Sequence, residues 1–223
     1  MRRTRVKICC IASPEEAALA VDAGADAVGL VGAMPTGPGV ITDAAARRIA
    51  LTVPPPVMPW LLTSEEDPVA IRDHAAACGV STVQIVRHVA PQTHDWLAEH
   101  APTLRRVQVI HVEGRDALDI VAAYGSRPHA YLLDSGRPSV AELGGTGRRH
   151  DWAVSAELVR VASRPVFLAG GLGPDNAAEA VRAVRPFGLD ICSGLRTDGA
   201  LDAALLARFI AAIRATDADL APA

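Results

Sequence analysis

The stretch VKICC, residues 6–10, sets two cysteines at the end of an apolar run, and YLLDS, residues 131–135, ends a second such run in an aspartate. A thiol and a carboxyl in these places can do general acid–base work, one giving a proton and the other taking one. Neither is diagnostic alone. Cysteines often serve only as small buried hydrophobes, and a strand-end aspartate can cap a helix or pair with a cation. Asp134 nevertheless closes an apolar run, where an unpaired carboxylate is costly to bury unless it faces a polar space.

Two further strand ends carry glycines. AGGLGPDN at 169–176 and DICSG at 190–194 let the backbone approach an anion, and a following helix N-terminus supplies unpaired N–H groups. One glycine pair can be a mere turn; glycine at Gly170, Gly171 and Gly194 after two successive strands points to phosphate. GGTGRRHDW, residues 144–152, reads as a flap from which Arg148 or Arg149 can reach an anionic ligand, with Asp151 and Trp152 anchoring the next helix. Asp190 has two equal readings: a hold on a sugar hydroxyl, or a pairing within the barrel.

These residues need elements to position them. RVKICC is followed by SPEEAALAVDAG, a helix with Ser13 as N-cap, Pro14 at its first position, Glu16 three residues after the cap and Gly24 beyond its end. The alternation continues through strands at ADAVGLV, PVMPWLL, STVQIV, RRVQVIHV, HAYLLD, RPVFLAGG and GLDICSG, with Ala-rich helical segments between them. About eight strand–helix units in one chain of 223 residues predict a single (β/α)8 barrel spanning residues 1–223. A doubly wound open sheet is the competitor, but ASPEE lacks the glycine-rich turn such sheets place after their first strand. In a barrel, active sites lie at the C-terminal strand ends. Strand alternation then puts Lys7 and Cys9 on one face and Cys10 on the other, as a small buried hydrophobe. Cys9 and Asp134, on strands one and six, then face each other across the mouth, a pair suited to acid–base work on opposite faces of a small phosphorylated substrate.

Composition bounds the partners. The chain has 22 basic and 25 acidic residues, a net charge of −3, which argues against nucleic acid or an anionic membrane surface. No apolar run approaches the roughly 20 residues that span a bilayer, and the expectation is a cytoplasmic protein. Its four cysteines show neither metal spacing nor a disulfide framework, and the histidines show no spacing for a metal or cofactor, so none is expected. Lys7 is the sole lysine and therefore the only candidate for Schiff-base chemistry. Monomer and homodimer are both open.

Taken in order, VKIC, AGADAVGLV, VQI, LLDS, GGTGRRHDW, PVFLAGGLGPDN, RPFGLD and SG resemble the phosphoribosylanthranilate isomerase family over nearly the full chain. The resemblance implies an isomerase of tryptophan biosynthesis that carries out an Amadori rearrangement, aminoaldose phosphate to aminoketose phosphate, without metal or organic cofactor. By that analogy Asp134 is the general acid and Cys9 the general base, with a thiol pKa below the free value of about 8.5. The backbone at Gly170, Gly171, Ser193 and Gly194 holds the phosphate. The departures cluster elsewhere. The glycine that follows the family's cysteine is Cys10, and the arginine of its Ser-Pro-Arg, which binds the anthranilate carboxylate, is Gly39. Gln-Leu-His-Gly becomes Gln84, Ile85, Val86 and Arg87; a glutamate after strand eight becomes Arg196. Arg87 or Arg196 is then the relocated cation, or the aglycone differs. Two other readings are a lyase or aldolase on a phosphorylated sugar, and a non-catalytic phosphosugar-binding protein, against which the retention of Cys9 and Asp134 speaks.

Overall fold

Eight parallel strands close on themselves in sequence order, each followed by a helix on the outside. The computed structural model describes residues 3–35, 37–136 and 150–221. The strands are β1 Arg5–Ile8, β2 Ala27–Val31, β3 Met58–Thr63, β4 Thr82–Ile85, β5 Arg105–His111, β6 Ala130–Asp134, β7 Val166–Leu168 and β8 Gly188–Ile191. The helices are α1 Pro14–Asp22, α2 Asp43–Ala50, α3 Pro68–Cys78, α4 Pro91–His100, α5 Ala117–Tyr124, α6 Trp152–Val161, α7 Ala177–Val184 and α8 Ala203–Asp219. A small antiparallel pair, β9 Arg196–Thr197 with β10 Ala200–Leu201, lies between β8 and α8. Two-residue strands carry no periodicity, and the sequence gives no sign of this pair.

The helices begin where side-chain acceptors meet their orphan N–H groups. Ser13 accepts from the Glu16 N–H at 3.3 Å, and Asp151 accepts from the Ala153 N–H at 2.8 Å, as the sequence predicts. Thr42 caps α2, its hydroxyl accepting from the Ala45 N–H. Strand β7 is shorter than its apolar run because Gly170 and Gly171 turn left-handed, at φ 84° and 63°.

Alternation along each strand sorts two cores. Ala130 and Leu132 point inward to join Trp60, Val109 and Phe167 inside the barrel, while Tyr131 and Leu133 point outward to the helices. Val6 and Ile8 belong to the outer layer, so Lys7 and Cys9 face in, as expected from the apolar pattern. The Thr4 hydroxyl and N–H both donate to Asp217, at 2.6 and 2.9 Å, tying the start of the first strand to the last helix. No helix of the described residues is long and apolar enough to cross a membrane.

Candidate active site

Cys9 follows β1 directly and continues its pairing, its N–H donating to the Ile191 carbonyl at 2.8 Å. Cys9 is buried, at 6% exposure, in a cluster with Val31, Leu62 and Val86. One step deeper, Lys7 is fully buried and its Nζ is 2.8 Å from Asp190 Oδ1, its register partner on β8. The space for this arrangement is made by β2. A Cβ on Gly29 would fall 2.7 Å from Cys9 Sγ and 2.9 Å from Lys7 Nζ. The thiol, the ammonium and the carboxylate thus form one buried array beneath the mouth.

The electrostatics correct one expectation. Burial pushes the Cys9 thiol up to about 11, above rather than below its ordinary value, although the Lys7 cation pulls the other way. Low dielectric penalises the thiolate, and much of the Lys7 charge is already answered by Asp190. Burial also disfavours the Lys7 ammonium, but Asp190 and Cys9 outweigh it and its pKa is raised. Of the two readings of Asp190, pairing within the barrel is the one the structure shows.

Cys10 is the second correction. It does not stand apart as a buried hydrophobe but forms a disulfide with Cys192, across 5.9 Å between Cα atoms and 182 residues of sequence. The reason is closure of the barrel. β1 and β8 are the chain's two extremes and become neighbours only when the sheet closes, so no local spacing announces the bond. Cys10 also runs at φ 62°, a left-handed conformation that costs any residue but glycine. That explains the glycine of the resembling family at this position.

Asp134 ends β6 half-buried, with its Oδ1 accepting the Ser135 N–H at 2.7 Å. Its register partner on β5 is His111, which also faces inward and is hydrogen-bonded through Nε2 to the Val86 carbonyl at 2.9 Å. Burial lowers the His111 pKa, leaving a neutral ring beside the carboxyl.

Glycine makes two close approaches possible at the ends of β7 and β8. A Cβ on Gly194 would lie 2.1 Å from the Leu172 carbonyl oxygen, and one on Gly170 would lie 2.8 Å from Ser135 Oγ. The loops after β7 and β8, with Ser193 opening the short 3-10 turn Ser193–Leu195, therefore interlock backbone to backbone. Asn176 shapes the first loop, accepting from the Gly173 N–H and donating to the Gly171 carbonyl, each at 2.9 Å. Its place six residues after Gly170 was visible in AGGLGPDN, but its role needed the loop's path.

The two arginines differ. Arg196, one of the two candidates for a relocated cation, is engaged within the protein. It binds Glu16 Oε1 at 2.8 Å and Oε2 at 3.1 Å, the Gly199 carbonyl at 2.8 Å and the Cys10 carbonyl. A guanidinium with both terminal nitrogens so committed acts as a structural clamp, and Glu16, read only as a capping residue, is its anchor. Arg87, just past β4, is 38% exposed and pairs with Glu66 at 3.3 Å. Arg148 and most of the GGTGRRHDW segment lie outside the described residues.

Fold and site together define a (β/α)8 barrel with a thiol, a carboxyl and two glycine-bearing loops at the C-terminal ends of its strands. The family model for N-(5'-phosphoribosyl)anthranilate isomerase matches residues 6–212. A Haloferax volcanii N-(5'-phosphoribosyl)anthranilate isomerase is 36% identical over 215 residues, covering 95% of this chain and 93% of that one. The phosphoribosyl anthranilate isomerase of Thermotoga maritima superposes with a TM-score of 0.82 at 30% identity, covering 95% of this chain and 99% of that one. A phosphoribosyl anthranilate isomerase solved in complex with reduced 1-(o-carboxyphenylamino)-1-deoxyribulose 5-phosphate superposes with a TM-score of 0.80 at 28% identity, again covering 95% and 99%. This chain belongs to the N-(5'-phosphoribosyl)anthranilate isomerase family.

Proposed function

We propose that the protein isomerises N-(5'-phosphoribosyl)anthranilate, a step of tryptophan biosynthesis, using Asp134 as acid and Cys9 as base. The observation that carries the assignment is the inward Cys9–Lys7–Asp190 array on β1 and β8, next to the glycine cradle at the ends of β7 and β8. The cradle fixes the phosphate and lays the ribosyl group across the mouth. Asp134, in its protonated form, gives its proton to the ring oxygen as the C1–O bond breaks. The nitrogen lone pair forms C1=N, leaving an open-chain iminium. The Cys9 thiolate then removes the C2 proton; the C–H electrons form C1=C2 and neutralise the nitrogen. The resulting enolamine tautomerises to the aminoketose.

A thiol with a pKa of about 11 is a poor base in the free protein. The iminium supplies what is missing, a positive charge formed one bond from the proton to be taken. Opposite charges a few ångströms apart in a low-dielectric mouth interact strongly, and the thiolate is favoured when it is needed. Lys7, beneath the sulfur, supports the same form. A Schiff-base aldolase is disfavoured by the same geometry, because a fully buried lysine held as an ammonium by Asp190 has no free lone pair.

With Arg196 committed, Arg87 is the arginine we assign to the aglycone carboxylate, exchanging Glu66 for substrate. The test is turnover of freshly generated N-(5'-phosphoribosyl)anthranilate, followed by loss of anthranilate fluorescence. A kcat/KM above about 10⁴ M⁻¹s⁻¹ is expected, falling to background in Cys9→Ser and Asp134→Asn. Full activity in either variant sinks the assignment, and background turnover by the folded wild type redirects the site to another aglycone.

A further inference from the structure

Outside the barrel mouth, helices α2 and α3 bring together a group that the isomerase chemistry does not use. Among the described residues, Asp43, His74 and Cys78 are the one set whose ligand atoms all lie within 4.8 Å of one another. His74 and Cys78 stand one turn apart on α3 and share a face. Asp43 reaches them from the first turn of α2, its Oδ1 3.2 Å from His74 Nε2. Two ligands about 2.0–2.1 Å from a tetrahedral ion sit roughly 3.3 Å apart, so the pair is already spaced for one.

Two features around the group point the same way. His74 Nδ1 is 2.9 Å from Thr63 Oγ1, so the ring is held by its far nitrogen with Nε2 turned to Asp43. This is the outer hydrogen bond that metal-bound histidines regularly make. The ring also needs a glycine behind it. A Cβ on Gly32 would lie 2.6 Å from His74 Cε1 and 2.8 Å from Nε2. The group opens to solvent through Asp43, whose side chain is 52% exposed, while Cys78 closes it from inside at 0%.

We propose that Asp43, His74 and Cys78 form a site for a borderline divalent cation such as Zn2+, with water as the fourth ligand. One thiolate, one imidazole and one carboxylate are the ligand types that Zn2+ takes, and hard cations such as Mg2+ do not favour sulfur. Binding balances without a redox step. The Cys78 thiol proton leaves to solvent, and the cation takes the Nε2 lone pair. The ring proton moves to Nδ1 and donates to Thr63 Oγ1. One proton is released per ion, and a site carrying one net negative charge becomes neutral. The ion joins α2 to α3 next to the start of the loop after β2.

The test uses Co2+ as a spectroscopic stand-in, titrated into the full-length Cys9→Ser protein, with the Cys10–Cys192 bond intact and metal removed by chelator. Cys78 is then the one free thiol. The expected result is a near-ultraviolet thiolate-to-cobalt band saturating at one ion per chain, displaced by Zn2+, with a rise in Tm. Adding Cys78→Ser removes the band, and Thr63→Val weakens binding by about 10–100-fold. Asp43→Ala, which leaves the Thr42 cap of α2 in place, must weaken Co2+ affinity and keeps the question open to test even where Cys78→Ser fails to fold. Absence of the band, its survival without Cys78, or unchanged affinity in Asp43→Ala overturns the proposal.

Discussion

Gly39 and Cys10 exclude each other's side chains: a Cβ on Gly39 would lie 2.6 Å from Cys10 Cβ and 3.3 Å from its Sγ. Gly39 also runs at φ 78°, where a side chain adds strain of roughly 1–2 kcal/mol. Two departures from the family, far apart in sequence, are therefore one steric event. Where Cys10 replaces glycine, an arginine cannot occupy position 39.

The exclusion predicts a paired result. Gly39→Arg alone destabilises the protein and does not tighten substrate binding. Cys10→Gly combined with Gly39→Arg restores room for the guanidinium and lowers KM for N-(5'-phosphoribosyl)anthranilate. Steady-state kinetics of both variants decide it, and a lower KM in Gly39→Arg with the disulfide intact would refute the exclusion.

Arg87 and Arg196 are separable by what each loses. Arg87→Ala removes a charge-assisted contact of about 1.5–3 kcal/mol, so KM rises by about 10–100-fold with little change in stability. Arg196→Ala instead strips the partly buried Glu16 of its partner, and the expected loss is in Tm, with KM nearly unchanged. If Arg196→Ala raises KM at unaltered Tm, the clamp reading is wrong.

The Cys10–Cys192 bond closes almost the whole chain into a loop, and a cross-link of that span restricts the unfolded state by about 5 kcal/mol on the chain-entropy model. A reductant is expected to lower Tm by about 10–20 °C in wild type and to do nothing in Cys192→Ala. Turnover below the transition should persist, because Cys9 is not part of the bond.

Acid weakens the fold through histidines buried in neutral form. Burial lowers His94 to about 4, and likewise His129 and His150 to about 4. A depressed folded pKa gives stability that is present above the unfolded value of about 6.5 and lost as pH falls through 4. Thermal melts between pH 7 and pH 4 should show this loss. His94→Gln should flatten it, since His94 is fully buried with Nε2 on Gln108 at 3.0 Å. An unchanged slope in that variant would assign the acid sensitivity elsewhere.

The amino-acid sequence determined the alternation of strands and helices, the inward face of β1 and the glycine-bearing turns after β7 and β8. These depend on periodicity, capping and backbone freedom, which are local and readable residue by residue. The strand-end positions of Cys9, Asp134, Gly170, Gly171 and Gly194 followed from such signals. The tertiary structure alone decided what touches what across the closure. It set Asp190 against Lys7, joined Cys10 to Cys192, gave Arg196 to Glu16 and pushed the Cys9 thiol up rather than down. The physical reason is that pairing and dielectric are properties of position in space. β1 and β8 lie at opposite ends of the chain, and only the closed barrel makes them neighbours with water excluded between them.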